Sequence, residues 1–124
     1  MRLTGVSPVL LVSDLERSIA FYRDLLGFEC ETFGEPANFA VATRDDVVLL
    51  LSLAPAGTQL VPNWHVVHGM WNVYVRIDDA DAIYAEVQER GCPIDYSLAN
   101  KPHGFREFGV TDPDGYDVAF GQPL

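Results

Sequence analysis

The sequence has few of the features that would set it apart from an ordinary small globular protein. Its 124 residues include only two cysteines, too few for a disulfide scaffold. Its longest apolar run, Val47 to Leu51, is far shorter than the ~20 residues that cross a bilayer. No apolar signal-peptide core precedes Asp14, and no segment is of low complexity. We therefore expect one folded domain over residues 1–124, located in the cytoplasm and without a membrane partner.

Basic residues are scarce as well. Only 8 Lys and Arg stand against 18 Asp and Glu, which gives a formal net charge of −10. Such a charge repels nucleic acid, so we expect no nucleic-acid partner, and it attracts cationic ligands. It also serves solubility alone, and composition does not separate these two interpretations. We expect Cys30 and Cys92 to be free, partly buried thiols.

A strand that runs into an acidic helix start occurs twice, 65 residues apart, at 12–17 and 77–82. Each segment has the spacing of a capping box, which predicts that the helices begin at Ser13 and Asp78. Apolar residues at helical spacing follow in both places. The repeat therefore predicts two similar halves, each with a strand that leads into a helix.

Turn residues divide the remainder of each half into short apolar or alternating pieces, which are typical of strands. The predicted strands lie near 28–34, 38–44, 46–53, 93–97, 105–111 and 116–121. The turn at 112–115 reads Asp-Pro-Asp-Gly, which favours a type I turn. We predict two half-modules, at about 1–57 and about 70–124, joined by a linker at about 58–69.

Three stretches resemble one family of proteins. They are VSDLERS with AFYRDLLGFE within 12–29, WNVYV at 71–75, and GFREF leading to DPDG within 104–115. These stretches resemble the vicinal-oxygen-chelate superfamily, which contains glyoxalase I, extradiol dioxygenases, fosfomycin-resistance enzymes and bleomycin-resistance proteins. The Arg-Glu-Phe motif and Pro8 look most like the bleomycin-resistance branch. The resemblance implies an α+β fold of two tandem βαβββ modules forming an incomplete barrel around a cleft, and it implies a homodimer.

Enzymes of that superfamily resemble one another in holding a metal with His, Gln or Glu at four strand positions. The equivalent positions here are Ser7, Leu50, Asn72 and Ala119. Two neutral oxygens and two hydrocarbon side chains are a poor ligand set for a divalent cation. We therefore expect no bound metal and no other cofactor, and we assign no catalytic residue.

Side chains alternate along a strand, so positions in register with those four sites are expected to face the cleft. The ligand-binding residues predicted in this way are Leu50, Asn72, Tyr74, Arg76 and Asp117. The resemblance implies that the Arg-Glu-Phe strand lies beside the cleft, which adds Glu107. Phe39, Trp64 and Trp71 are predicted as rings that stack on a planar ligand. Such a mixture is typical of a small-molecule pocket. Alternatives stay open, because Glu107 is equally suited to pair with Arg76 or Arg106, and tryptophans often serve as core or interface residues. His103 is either exposed or a hydrogen-bonding residue at the cleft edge.

The leading interpretation is a metal-independent binding protein of the bleomycin-resistance type, which sequesters a drug or metabolite. The acidic charge favours a cationic, planar ligand. The alternative is a divergent glyoxalase-like or dioxygenase-like enzyme that uses Glu107 or Asp117 as a general base. A third interpretation is an accessory module without a ligand.

Overall fold

In the computed structural model, which describes residues 1–124, the chain divides into two units, Met1–Leu60 and Val61–Leu124. The first unit contains β1 (Val9–Val12), α1 (Leu15–Ala20), β2 (Glu29–Phe33), β3 (Phe39–Arg44) and β4 (Val47–Leu53). The second unit contains β5 (Val73–Arg76), α2 (Ala80–Glu89), β6 (Ile94–Asn100), β7 (Phe105–Thr111) and β8 (Asp117–Pro123). The prediction of an α+β chain with two tandem βαβββ modules is confirmed.

Each unit forms one four-stranded sheet, and the two sheets share one topology. Their strand orders are β1-β4-β3-β2 and β5-β8-β7-β6. The first strand of each unit is parallel to the last, and the remaining pairs are antiparallel. The predicted strands match the observed ones at their centres. The exception is β6, which continues to Asn100 instead of ending near residue 97.

The two helices begin one residue later than the capping-box spacing predicts. Asp14 and Asp79 are the N-cap residues, and their carboxylates accept hydrogen bonds from the backbone N–H of Arg17 (3.1 Å) and Ala82 (3.0 Å). A short acidic side chain reaches the third helical N–H from the cap position, which explains the shift from Ser13 and Asp78. No helix of the chain combines the length and the apolar character needed to cross a membrane.

The core of each unit lies between its helix and one face of its sheet. In the second unit, the buried residues on that face are Val73, Val75, Phe108, Val110, Val118 and Phe120. The Phe108 ring stacks on Phe120 at 5.2 Å and contacts Tyr84 of α2 at 4.9 Å. Because side chains alternate, the residues between these apolar positions project from the opposite face of the sheet, where the candidate site lies.

Both cysteines are free thiols, as predicted. Cys92 is buried, and burial raises the pKa of its thiol to about 11. The thiol is therefore neutral near pH 7, and it behaves as a small apolar side chain rather than a nucleophile.

Candidate ligand-binding site

The carboxylate of Glu107 is the centre of a hydrogen-bond network on the second sheet. Its side chain lies on β7 with 1% relative exposure. Oε1 accepts a hydrogen bond from the Tyr74 hydroxyl (2.8 Å), and Oε2 accepts one from the Tyr96 hydroxyl (2.7 Å). His103 Nε2 lies 2.5 Å from Oε1, and it donates to it because an ionised carboxylate can only accept. One buried acid is thus held by donors from β5, β6 and the loop before β7.

Two glycines inside strands make room for the tyrosines. Gly109 on β7 lies opposite Tyr96, and Gly121 on β8 lies opposite Glu107. A methyl group at Gly109 would overlap the Tyr96 ring, and one at Gly121 would overlap the Tyr74 hydroxyl. A glycine in a strand interior often marks such a close approach. The sequence thereby lets both phenols lie across the sheet and reach one carboxylate.

A tight turn brings His103 to the network. In the loop between β6 and β7, the N–H of Gly104 donates to the Lys101 carbonyl at 3.0 Å, and Gly104 has a φ of 90°. Pro102 has the fixed φ that suits such a turn. The turn places the imidazole over Glu107, four residues further on, with 45% of the His103 side chain exposed.

Aromatic rings surround the carboxylate. We call Trp71, Tyr74, Tyr96, His103 and Phe105 the aromatic cluster. The Trp71 ring lies edge-to-face with Tyr74 at 4.7 Å, and Phe105 lies edge-to-face with Tyr74 at 5.6 Å. The Trp71 indole N–H donates to the Tyr96 hydroxyl at 2.9 Å. The tryptophan, the tyrosines and the phenylalanine are each half-buried, so part of each ring surface is accessible to a ligand.

The network fixes the protonation state of its members. Burial pushes the pKa of Glu107 upward, but the hydrogen bonds from Tyr96, Tyr74 and His103 outweigh it, and the pKa lies below its ordinary value. The pKa values of Tyr74 and Tyr96 are raised, first by burial and then by the bonds to Glu107. At neutral pH the site therefore holds an ionised carboxylate and two neutral phenols.

Asp117 belongs to a different group of side chains. It is buried on β8, and it accepts a hydrogen bond from the Thr111 hydroxyl at 2.9 Å. Burial, and then a hydrogen bond with the carboxyl of Asp95, raise the pKa of Asp117 to about 6. Asp117 therefore binds a proton in mildly acidic solution.

Replacing Asp117 with asparagine is expected to stabilise the protein at pH 8 by about 1–2 kcal/mol. Because the pKa of Asp117 is about 6 in the folded chain against an ordinary 3.8, the folded state holds a proton that the unfolded state releases. Stability therefore falls as the pH rises from about 4 to 6, and asparagine removes that loss. Urea unfolding at pH 5 and pH 8 measures it, with the exposed Asp78→Asn as the control. A variant that is weaker than wild type at pH 8 would contradict this interpretation.

The structure brings together three of the predicted site residues, Trp71, Tyr74 and Glu107, and places others nearby or elsewhere. Arg76 is exposed at the end of β5. The amide oxygen of Asn72 accepts from the Asn63 N–H at 2.9 Å. The indole N–H of Trp64 donates to the Gly115 carbonyl at 2.6 Å. Both polar groups support the loop before β5, and a role for these two side chains in binding stays a prediction.

Phe39 and Leu50 belong to the first unit. The Phe39 ring lies 6.4 Å from Phe33, and Leu50 on β4 pairs with Val9 on β1. Both are half-buried on the sheet face opposite α1. Their contact with a ligand also stays a prediction.

The four positions at which related enzymes hold a metal do not fit a divalent cation here. Leu50 pairs with β1 as Ala119 pairs with β5, so the two occupy equivalent places in their sheets. Neither carries a donor atom, Ser7 offers one neutral hydroxyl, and the Asn72 oxygen is already engaged. No three His, Cys, Asp or Glu side chains gather in metal-binding geometry. We derive no step through a metal.

Two members of the network are not among the site residues that the sequence predicts. Strand patterning assigns Tyr96 to a strand without a role, and His103 has two alternative interpretations. The sequence signal for Tyr96 is Gly109, a glycine inside a strand that leaves space for an aromatic side chain of the neighbouring strand. The signal for His103 was its position between Pro102 and Gly104, which indicates a tight turn that folds the side chain back onto β7.

The chain is therefore an α+β protein built from two tandem βαβββ units. The chain belongs to the Glyoxalase/Bleomycin resistance protein/Dioxygenase superfamily, whose family model matches residues 6–120. The resemblance seen in the sequence is thereby confirmed.

Several solved structures are similar over essentially the whole chain. A bleomycin-binding protein from Streptomyces verticillus, complexed with copper(II)-bleomycin, has 26% identity and a TM-score of 0.75, covering 100% of this chain and 99% of its own. An antibiotic binding protein from Streptomyces sp. CB03234 has 26% identity and a TM-score of 0.74, with coverage of 100% and 99%. A lactoylglutathione lyase from Agrobacterium tumefaciens has 21% identity and a TM-score of 0.70, with coverage of 96% and 92%, and shows a shared fold alone.

Proposed function

We propose that this chain is a small-molecule binding protein of the bleomycin-resistance type, which sequesters a drug or metabolite without transforming it. The observation that carries the proposal is the aromatic cluster, built around the buried Glu107, whose carboxylate accepts three hydrogen bonds. Half-buried rings held in fixed orientations lose little conformational freedom when a planar ligand stacks on them. The network thus supports the binding of a planar ligand.

The similar proteins support the same choice. Two of the structures at 26% identity are described as a bleomycin-binding protein and an antibiotic binding protein. A fold of this kind hosts several activities, so the support concerns the type of function and leaves the ligand to experiment. Bleomycin with and without copper(II) is therefore the first compound to titrate.

The hydrogen bonding of Glu107 favours binding over catalysis. A general base needs a lone pair that the substrate can reach and a pKa near the working pH. The Glu107 carboxylate is buried, and the three hydrogen bonds that it accepts hold its pKa below the ordinary value. Asp117, the other acid considered as a base, has a pKa of about 6, but it is buried and accepts a hydrogen bond from Thr111.

One observation favours an enzyme as the second candidate. His103 directs Nε2 to the Glu107 carboxylate, which leaves Nδ1 of a half-exposed imidazole for another partner. A carboxylate that orients an imidazole is a common arrangement for proton transfer, and a divergent glyoxalase-like or dioxygenase-like lyase, isomerase or oxidoreductase could use it. Recovery of a bound compound in altered form would favour this candidate.

Mass spectrometry under native conditions, on protein purified from its natural host, tests the proposal. We expect one small organic molecule per chain, lost on denaturation and unchanged after prolonged incubation. The Trp71→Leu variant should lose this molecule, while Tyr84→Phe, whose ring packs on Phe108 outside the aromatic cluster, should retain it.

The same spectrum reports the oligomer. We propose a homodimer, supported by exposed apolar side chains such as Val9, Leu11, Val66 and Val67, which a second copy would cover. The expected mass is therefore about twice 13.7 kDa plus ligand. Wild-type protein that carries no small molecule, and that binds none of the compounds titrated, would contradict the binding function.

A further inference from the structure

In the second unit, not every basic side chain is paired with an acid. This unit contains ten acids and only four bases. Arg90 and Arg106 each pair with an acid of α2 at 3.0 Å. The other two bases, Arg76 and Lys101, pair with no acid although acids outnumber bases, and both lie beside the aromatic cluster.

Arg76 lies in a row with the central carboxylate. It is opposite Gly121 on β8, and Gly121 is opposite Glu107 on β7. The Tyr74 hydroxyl lies over Gly121, between the two charged residues. Burial raises the pKa of Tyr74, and the charge of Arg76 acts in the opposite direction, so the guanidinium is within electrostatic reach of this phenol. The Arg76 side chain is exposed, and its guanidinium makes no hydrogen bond or ion pair within the chain.

Lys101 lies at the other end of the network from Arg76. Its ammonium group is 5.0 Å from the centre of the Tyr96 ring, which is a cation–π contact. This contact directs the charge to the aromatic cluster without neutralising it. Two cations therefore flank Glu107, one beside Tyr74 and one over Tyr96.

The acids on this sheet face are poorly available to a cationic ligand. Glu107 is almost completely buried beneath Tyr74, Tyr96 and His103, whose hydrogen bonds it accepts, so a cation would have to move one of these side chains to reach it. Asp117 is buried with Asp95 as its partner. A ligand anion, in contrast, would meet an unpaired guanidinium, whose planar fork matches a carboxylate with two parallel hydrogen bonds. The local charges thus oppose the expectation that the net charge of −10 gives.

We propose that the ligand of this site is a planar aromatic compound with a carboxylate or similar anionic group, the ring lying against the aromatic cluster and the anion bound by Arg76. This inference rests on the proposed binding function and deepens it by naming the class of ligand. Lys101 adds a second positive charge on the same face of the sheet.

Three probes of one shape test the inference: 2-naphthoate, 2-naphthamide and 2-naphthylmethylammonium, which are anionic, neutral and cationic. Their affinities are measured by isothermal titration calorimetry at low and at physiological salt. We expect 2-naphthoate to bind about 10-fold or more tightly than the ammonium probe, as one charge-assisted hydrogen-bond pair predicts. The amide should fall between them.

Two arginine variants provide the control. Arg76→Gln and Arg106→Gln each remove one positive charge from the same unit, but Arg106 lies on the other sheet face, where it pairs with Asp81. We expect Arg76→Gln to abolish the preference for 2-naphthoate and Arg106→Gln to preserve it. Equal losses in both variants would assign the preference to net charge and overturn the role of Arg76.

The outcomes separate this inference from the function on which it rests. Tighter binding of the ammonium probe, or equal binding of all three, would overturn the anionic class and leave small-molecule binding in place. Failure of all three probes to bind at millimolar concentration would contradict the binding site at the aromatic cluster, and the inference with it.

Discussion

Gly109→Ala is expected to destabilise the protein by about 3 kcal/mol. The added carbon would overlap the Tyr96 ring, so the ring has to leave its place across β7. Its hydroxyl would then no longer donate to Glu107 or accept from Trp71. A loss of packing is thus added to the loss of two hydrogen bonds.

Urea unfolding of a double-mutant cycle checks this expectation. In a Tyr96→Ala background the ring is absent, so Gly109→Ala should cost much less than it does in the wild type. Gly121→Ala should behave in the same way towards Tyr74, whose hydroxyl occupies the space over that glycine. Equal costs of Gly109→Ala in both backgrounds would show that the ring does not depend on the glycine.

Tyr96→Phe is expected to cost about 2 kcal/mol, because it leaves a buried carboxylate with one donor fewer and the Trp71 indole without its acceptor. Tyr84→Phe is the matched control, since the Tyr84 ring packs on Phe108 outside the network. Its cost should be within about 0.5 kcal/mol of zero. Chemical denaturation at pH 7 compares the two, and equal stabilities would contradict the network.

The pH dependence of the same variants gives an independent check. Because hydrogen bonds hold the pKa of Glu107 below its ordinary 4.5, the acid stabilises the fold above that pH. This contribution is lost as the pH falls below 4.5 and through the folded-state value. Removing the Tyr96 hydroxyl raises that value, so acid unfolding of Tyr96→Phe should begin at a higher pH than that of Tyr84→Phe.

Much of the fold could be predicted because its signals are local. The turn at 112–115 is an example, since the Asp112 side chain accepts from the N–H of Asp114 (3.0 Å) and of Tyr116 (2.9 Å), as the Asp-Pro-Asp-Gly pattern indicates. Strand alternation likewise places Tyr74 and Arg76 on one face of β5. The observed N-cap residues, Asp14 and Asp79, lie one residue after the predicted ones because each helix start has two neighbouring side chains that are able to cap.

The site could be predicted only in part because it depends on side chains that meet across strands. Tyr96 reaches Glu107 because residue 109 has no side chain, a relation between three strand positions that alternation does not encode. The net charge of −10 favours a cationic ligand. The local charges differ from it, because Glu107 is hydrogen-bonded within the network and Arg76 beside the cluster has no acidic partner. Pairing of charges is a property of the folded chain and is not visible in composition.

The indole N–H resonances of ¹⁵N-labelled protein test ligand binding at the aromatic cluster most directly. The chain has two tryptophans. The Trp71 indole donates to Tyr96 inside the cluster, and the Trp64 indole donates to the Gly115 carbonyl outside it. Titration with 2-naphthoate is predicted to shift the Trp71 resonance saturably and by more than that of Trp64. A Trp71 resonance that stays unmoved, or a shift of Trp64 alone, would contradict a binding site at the cluster.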